Sequence, residues 1–293
     1  ARLAQIRLPA LAWGEKDGTV TNSERRISRQ RALFPPPGEA LADWAILCRF
    51  AARMGWGKAF AFDRPAAVFR EYAAMTALAP RHGKRLDLAA LAGLSDAEYQ
   101  GLVPFLWGGA RPFAGGFSHA DGRARLVPVA APAAAPVDAA FPLRLNTGRY
   151  RDQWHTMTRT GLSPTLSQHR REARLDVHPA DAVRHGLTDG GLARVSTAAG
   201  SAVFRVSCHD GQRPGDLFVP MHWSDAMAGE ARANLLPLAE CDPISGQPGF
   251  KNTPARVEAV SPEWRAFLVC REAAALPPLL YWSRSRVPGG WLY

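Results

Sequence analysis

The sequence predicts a mixed α/β chain, in which a helix-containing region is followed, after a linker, by a small closed β-barrel. Three observations point to this class: helical spacing of apolar residues before residue 127, a run of small residues and prolines, and short strand patterns at roughly ten-residue intervals thereafter. With 293 residues, 47% of them hydrophobic, the chain suffices for about two domains with buried cores. The expected divisions are a first region over 1–127, a linker over 128–140, a barrel over 141–260 and a tail over 261–293.

Three segments of the first region carry the signals of helices. Apolar residues at positions 44, 47, 48, 51 and 54 follow the helical period, and Gly55 is suited to end that helix. Pro65–Met75 begins with a proline at the first helical position. Ser95 and Glu98 have the spacing of a capping box, which predicts the start of a third helix. The stretch 13–26 is rich in turn formers and charge, so a solvated loop is one interpretation and a ligand contact is another.

The linker and the barrel differ from the first region in composition. Residues 128–140 contain three prolines, one charge and otherwise small apolar residues, which is typical of a linker. After them, segments of alternating polarity are separated by glycine turns, and one short helix is expected over Pro179–Gly186. The expected strands are Phe141–Asn146, Arg174–His178, Leu192–Thr197, Ser201–Val206, Gly215–Pro220 and Thr253–Val260.

The charge of the chain indicates an anionic partner. The formal net charge is +10, and arginines are concentrated at 25–31 and 144–174. These arginines lie in mixed sequence, and their planar guanidinium groups suit fixed contacts to phosphate or carboxylate. A nucleic-acid-binding barrel is a remote alternative, because it needs aromatic residues alternating with basic ones on exposed strands, whereas the Trp and Tyr residues here fall mainly in loops and helices.

Several function classes are disfavoured by what the sequence lacks. It has no run of about 18–20 apolar residues for a membrane span and no recognisable signal peptide, so no membrane partner is expected. The four cysteines, Cys48, Cys208, Cys241 and Cys270, lie far apart, which predicts reduced thiols in the cytoplasm. Motifs typical of zinc proteases, nucleophile elbows, phosphate-binding P-loops and Rossmann folds are missing.

The loop after the first barrel strand is the best candidate for binding chemistry. Gly148 allows backbone N–H groups to approach a ligand, nearby threonines offer hydroxyl groups, and Arg149 and Arg159 offer guanidinium forks. Together they suit an anionic ligand such as a pyrophosphate. An ordinary polar loop with solvated arginines is the alternative, and it stays open.

Two further segments carry polar residues near expected strand ends. In the loop 241–251, Gln247 is suited to read the edge of a heterocycle and Lys251 to meet a phosphate, although a surface turn explains the same residues. His222 follows an expected strand, where a packed histidine is the more common situation than a ligand or a base.

A series of motifs, in order, gives a more specific resemblance over residues 13 to 260. They are Trp-Gly-Glu-Lys-Asp-Gly-Thr-Val-Thr-Asn-Ser-Glu-Arg-Arg at 13–26, Pro-Gly-Glu-Ala at 37–40, Asn-Thr-Gly-Arg at 146–149, Gln-Trp-His-Thr-Met-Thr-Arg-Thr at 153–160, His-Pro-Ala-Asp-Ala at 178–182, Val-Pro-Met-His-Trp at 219–223, Ala-Asn-Leu-Leu at 233–236 and Asp-Pro-Ile-Ser-Gly-Gln-Pro at 242–248. In this order they resemble the C-terminal part of the catalytic subunit of molybdopterin oxidoreductases of the bis-guanine-dinucleotide class. Within that class, the assimilatory nitrate reductases are the closest match.

The resemblance implies a fold and a set of cofactor contacts. Residues 1–127 would be the last part of a molybdopterin-binding α/β region, and 141–260 would be a double-psi β-barrel that covers molybdenum bis(molybdopterin guanine dinucleotide). The cofactor-binding residues would be Thr147, Gly148, Arg149, His155, Thr156, His222, Asn234, Gln247 and Lys251. The molybdenum ligand and the cysteines of a [4Fe-4S] cluster would lie upstream of this chain, so no metal ligand is assigned here.

The resemblance also implies an activity and partners. The reaction would be reduction of nitrate to nitrite, with electrons from an NADH-, ferredoxin- or flavodoxin-linked donor, in the cytoplasm. Taken alone, this chain would be an inactive fragment of the enzyme. A formate dehydrogenase or a periplasmic-type nitrate reductase of the same superfamily is the alternative, and a scaffold fragment without ligand is a further one.

Overall fold

The computed structural model describes residues 3–84, 87–128 and 134–293, which fall into two compact units, 1–129 and 130–293. Residues 129–133 of the expected linker lie outside the described residues, and 134–138 have no regular secondary structure. The boundary at 128–140 therefore stays a prediction. No helix in the described part of the chain is long and apolar enough to cross a membrane.

Among its described residues, the first unit combines three α-helices and three short 3-10 helices with a small antiparallel sheet, so it is a mixed α/β unit. In chain order its elements are β1 (Gly18–Thr21), β2 (Arg26–Gln30), α1 (Asp43–Arg53), α2 (Pro65–Thr76), α3 (Asp96–Gln100) and β3 (Phe105–Leu106), with sheet order β1-β2-β3. Ile27, Phe69, Ala73 and Tyr99 form its buried core. The expected capping box is present, because the Ser95 Oγ accepts a hydrogen bond from the backbone N–H of Glu98.

The interpretation of 13–26 as a loop is wrong at Gly18–Thr21 and at Arg26, which lie in β1 and β2. Thr19 to Thr21 pair with Ile27 to Arg29, and only the residues between them turn. The Asn22 side chain accepts the backbone N–H groups of Glu24 and Arg26, and Arg25 adopts a left-handed φ of 69°. The turn formers thus make the tight hairpin connection between two strands rather than one long loop.

The second unit contains a closed six-stranded barrel, which confirms the expected fold class. Its elements are β4 (Leu143–Gly148), α4 (Pro164–Ser167), β5 (Arg174–Val177), α5 (Pro179–Arg184), β6 (Leu192–Ser196), β7 (Ser201–Cys208), β8 (Asp216–Pro220) and β9 (Thr253–Val260), with strand order β4-β8-β5-β7-β6-β9. The pairs β4–β8 and β5–β7 are parallel, whereas β5–β8, β6–β7, β6–β9 and β4–β9 are antiparallel. Alternate residues such as Leu145, Leu175, Val195 and Leu217 fill the interior.

These strand directions define two ends of the barrel, and only one gathers the loops of interest. We call it the upper end: β4 and β8 finish there at Gly148 and Pro220, the β6–β7 turn 197–200 lies there, and β5 and β9 begin there. The lower end carries α5 and the connections into β6 and β8. The strand β4 extends two residues beyond the expected Asn146, because its parallel pairing with β8 continues to Gly148.

The tail packs on the barrel unit. Its strands β10 (Val269–Cys270), β11 (Ser285–Val287) and β12 (Gly290–Leu292) form a three-stranded sheet. The Tyr281 hydroxyl donates to Glu172 Oε2 at 2.9 Å, and Arg205 Nε donates to the same oxygen at 2.7 Å. The tail is thereby fastened beside the start of β5.

Candidate functional site

The segments singled out in the sequence come together at the upper end. The loop 149–173 leaves β4 there, and the loop 241–252 leads into β9 beside it. The Thr147 Oγ1 donates to the Phe250 carbonyl at 3.1 Å, and the Lys251 ammonium donates to the Thr147 carbonyl. Asn252 N–H donates to Asn146 Oδ1 at 3.1 Å. Residues about a hundred positions apart in sequence therefore share one surface, because barrel closure pairs β4 with β9.

The loop 149–160 has an unusual backbone at its centre. His155 and Met157 adopt left-handed φ values of 43° and 58°, and Thr156 separates them. In the described part of the chain, the backbone N–H groups of Thr156 and Thr158 have no hydrogen-bond acceptor, and both residues are exposed. A backbone that alternates in this way is typical of anion-binding nests. We call residues 155–158 the nest; the N–H of Met157 already donates to the Trp154 carbonyl at 3.0 Å, so the Thr156 and Thr158 N–H groups are the ones left for an anion.

Unneutralised positive charge lies beside this nest. Asp152, the one carboxylate in 146–160, is held by Arg151 Nε at 2.7 Å, and this hydrogen bond lowers the pKa of Asp152. Arg149 and Arg159 are exposed and make no ion pair among the described residues, while the Arg149 guanidinium lies 5.8 Å from the centre of the Trp154 ring. Two guanidinium groups on the same loop therefore remain available to an anion.

Gly148 is packed closely against its own chain, and its expected contact with the cofactor stays a prediction. A Cβ at this position would lie 2.6 Å from Cε2 of Phe218, on the neighbouring strand, and Gly148 is not in the left-handed region. The space above Gly148 is thus taken by an aromatic ring of the chain itself. The requirement for glycine here comes from close packing of β4 against Phe218, so a ligand is not needed to explain it.

His222 lies just beyond β8 with a fully buried side chain. Its Nε2 accepts the backbone N–H of Tyr150 at 2.8 Å, and its Nδ1 lies 2.7 Å from the His155 carbonyl oxygen. Because Nε2 accepts, the proton of the neutral ring must lie on Nδ1, which then donates to His155. Burial lowers the pKa of His222, which favours this neutral form.

The remaining expected residues, Asn234 and Gln247, are also at the upper end, and their side chains make no hydrogen bond to the residues that the structure describes. Asn234 is exposed on a short 3-10 helix, Ala233–Leu235, which is tied to the β6–β7 turn by the Thr197 hydroxyl donating to the Leu236 carbonyl at 2.7 Å. Gln247 is exposed in a turn closed by Asp242 N–H donating to the Gln247 carbonyl at 2.8 Å. Both amide side chains are available to a ligand, and their contact with one stays a prediction.

Sequence reasoning missed the residues that shape the loop from inside. The buried Gln153 accepts from the Thr160 hydroxyl at 2.7 Å and donates to the Leu166 carbonyl at 3.1 Å. Met157 is buried under Gly161, where a Cβ would lie 2.9 Å from Cβ of Met157. A polar side chain buried in a loop leaves no periodic pattern, so no signal in the sequence identifies it.

The donor set at the upper end fits a phosphorylated, nitrogen-rich ligand. It offers unpaired backbone N–H groups and two free guanidinium groups for phosphate, together with amide side chains that both donate and accept. Asp152, the single carboxylate of 146–160, is already paired with Arg151, so it does not repel an anion strongly. The chemistry of these residues is therefore compatible with a guanine dinucleotide.

Comparison with family models agrees with this assessment. Residues 143–254 match the model described as "Molydopterin dinucleotide binding domain", and residues 1–53 match "Molybdopterin oxidoreductase". The first match spans the barrel from β4 to the start of β9 and includes every residue of the candidate site.

Curated relatives include a nitrate reductase of Klebsiella oxytoca, 50% identical over 98% of this chain and 34% of the relative. The assimilatory nitrate reductase catalytic subunit of Bacillus subtilis is 30% identical over 88% of this chain and 36% of the relative. The F420-dependent formate dehydrogenase 1 subunit alpha of Methanococcus maripaludis is 31% identical over 89% and 37%. The chain therefore spans about a third of the length of the curated relatives it matches.

A solved structure shares the fold. Acetylene hydratase from Pelobacter acetylenicus aligns with a TM-score of 0.66 over 86% of this chain and 37% of that protein, at 17% sequence identity. At this identity the likeness supports the architecture alone.

Proposed function

The chain belongs to the molybdopterin oxidoreductases, and from this premise we propose that its barrel holds a guanine dinucleotide of molybdenum bis(molybdopterin guanine dinucleotide) in an enzyme that reduces nitrate. When bound, the molybdenum centre supplies the two-electron oxygen-atom transfer from nitrate, while the protein binds and orients. The observation that carries the proposal is the meeting, at the upper end, of the N–H nest, the two free arginines and the loop 241–252.

The phosphate groups are assigned to the loop 149–160. The N–H groups of Thr156 and Thr158 and the Thr156 hydroxyl donate to phosphate oxygens, and Arg149 and Arg159 neutralise the charge. The exposed imidazole of His155 lies on the same loop and adds a donor. Lys251 contributes positive charge from the neighbouring loop and, through the Thr147 carbonyl, keeps the two loops together.

The heterocycle is assigned to the exposed amides. Asn234 and Gln247 each present one donor and one acceptor, which complement the edge of a guanine or pterin ring. Gly148 and Thr147 act indirectly in this account, because the Gly148 position is packed against Phe218 and the Thr147 hydroxyl binds the Phe250 carbonyl.

Nitrate is proposed as the substrate because the 50% identical relative is a nitrate reductase. The reaction consumes nitrate, two electrons and two protons and yields nitrite and water. The electrons come from an NADH-, ferredoxin- or flavodoxin-linked donor, and the protein acts in the cytoplasm, as the resemblance to assimilatory enzymes implies. Oxidation of formate is the second candidate, favoured by the 31% identical formate dehydrogenase subunit.

Dye-linked assays of the molybdenum-loaded holoenzyme separate the two activities. With reduced methyl viologen as the electron source, we expect nitrate to be consumed and nitrite to form in equal amount, whereas formate should not reduce oxidised viologen. Reduction of the dye by formate without any nitrite formation would contradict the nitrate assignment and favour the formate dehydrogenase branch.

A further inference from the structure

We propose that His222 is a positioning residue whose neutral imidazole fastens both ends of the segment 150–155 to the end of β8 and so maintains the N–H nest that receives the cofactor. The inference rests on the proposed function of the nest. It differs from the expected direct contact between His222 and the cofactor.

The geometry leaves His222 no free polar atom with which to touch a ligand. Its side chain is 0% exposed, and each ring nitrogen already binds a backbone group, Nε2 the N–H of Tyr150 and Nδ1 the carbonyl of His155. The ring therefore acts as a bridge between β8 and two points of the loop, which are five residues apart.

The second bond is made by a residue with a strained backbone. His155 has a left-handed φ of 43°, a conformation that non-glycine residues seldom adopt without support. The Nδ1–H of His222 binds the carbonyl of this residue, immediately before Thr156 N–H in the nest. Loss of the bond would let His155 relax and would change the direction of the Thr156 N–H, which follows it directly.

The bridge works only with the neutral ring. Protonation of Nε2 would place an N–H opposite the N–H of Tyr150, so the acceptor role would be lost. Burial is the largest cause that lowers the pKa of His222, whereas its hydrogen bond to the His155 carbonyl acts in the opposite direction. The neighbouring Arg149 guanidinium and His155 imidazole disfavour a further positive charge on the ring. The Tyr150 hydroxyl stays neutral because burial raises its pKa.

Because the pKa of His222 is lowered, acid should release the loop 149–160. A histidine whose folded-state pKa lies below its ordinary value of 6.5 stabilises the folded loop fully above pH 6.5 and loses this contribution as the pH falls toward the folded-state pKa. At pH 5.5, one unit below 6.5, the population of released loop should rise by up to about tenfold.

Two variants of His222 each keep the ability to make one of its two hydrogen bonds. The amide of His222→Asn can still donate near the Nδ1 position, and the amide of His222→Gln can still accept near the Nε2 position, but neither titrates. At pH 7.5 we expect each to increase hydrogen exchange in 149–160 of the cofactor-free protein and the rate of molybdenum loss from the holoenzyme by about tenfold, with no further rise specific to pH 5.5. His185→Asn, at the lower end, is the matched control and should behave as wild type in both measurements.

The results of these measurements separate the role of His222 in the loop from its effect on the cofactor. When the pH is lowered from 7.5 to 5.5, hydrogen exchange in 149–160 of the wild type, corrected for intrinsic rates, should become faster while the barrel strands stay protected. This measurement needs no variant, so it remains valid even if a variant fails to fold. If hydrogen exchange in 149–160 is unchanged in both variants, or depends on pH in them as in the wild type, His222 does not hold this loop in place. Faster loop exchange with unchanged molybdenum retention would show that the hydrogen bonds of His222 do not help to hold the cofactor. Failure of the nitrate assay alone bears only on the proposed activity.

Discussion

Replacing Gly148 by alanine is expected to destabilise the barrel by about 1–3 kcal/mol and to lower the molybdenum content of the purified enzyme. The added Cβ would lie 2.6 Å from Cε2 and 3.1 Å from Cζ of Phe218, so either the ring or the end of β4 must move. Because β4 leads directly into the loop 149–160, displacement of its last residue also displaces the nest. Thermal unfolding and molybdenum analysis of the variant measure the two effects.

A second substitution tests whether contact with Phe218 causes the expected loss of stability. Phe218→Leu removes the ring atoms that Gly148→Ala would meet, so the double variant should be more stable than the sum of the two single changes predicts. Gly93→Ala is the control, because a Cβ at Gly93 meets no atom within 4 Å and its φ is not left-handed. Strictly additive effects of Gly148→Ala and Phe218→Leu would show that the contact is not the reason for the glycine.

Simultaneous replacement of Arg149 and Arg159 by alanine is expected to have the largest effect on cofactor binding. Each guanidinium is free of ion pairs among the described residues and is assigned to phosphate, and a hydrogen bond to a charged group contributes about 1.5–3 kcal/mol. The double variant should therefore retain at least about tenfold less molybdenum and guanine nucleotide per protein after gel filtration. The fold should be unaffected, because both side chains are exposed.

Arg184→Ala provides the comparison for this experiment. Arg184 is an exposed arginine on α5, at the lower end of the barrel, so its loss changes the net charge by one without touching the nest. We expect wild-type cofactor content in this control. Full cofactor occupancy in the Arg149→Ala/Arg159→Ala variant would show that the loop 149–160 does not bind the phosphate groups through these arginines.

The barrel was largely predictable from the sequence because its strands alternate in polarity and are separated by turn residues. The strand Thr253–Val260 has the expected bounds, and the helix expected over Pro179–Gly186 is present as α5. The order β4-β8-β5-β7-β6-β9 was not derivable from periodicity, because it depends on pairings between distant segments. The end of β4 was misplaced for the same reason, since its last two residues are held by β8 rather than by local sequence preference.

The candidate site was predictable as a set of segments but not as a set of roles. Gly148 has the residue type of a close-approach site, yet the approaching group is Phe218. His222 has the residue type of a ligand or base, yet both of its nitrogens bind the backbone of the chain. The left-handed conformations of His155 and Met157 leave no mark in composition, because they are imposed by tertiary contacts. Residue type and order singled out segments that meet at the upper end, whereas only the packing shows what each side chain contacts.

Hydrogen exchange of the complete protein with and without its cofactor shows which end of the barrel holds the dinucleotide. If the upper end of the barrel holds the dinucleotide, cofactor binding should slow exchange in 147–160 and 247–252 and leave the lower-end segment 178–191 unchanged. Equal exchange in 147–160 with and without cofactor, or protection concentrated at 178–191, would contradict the account.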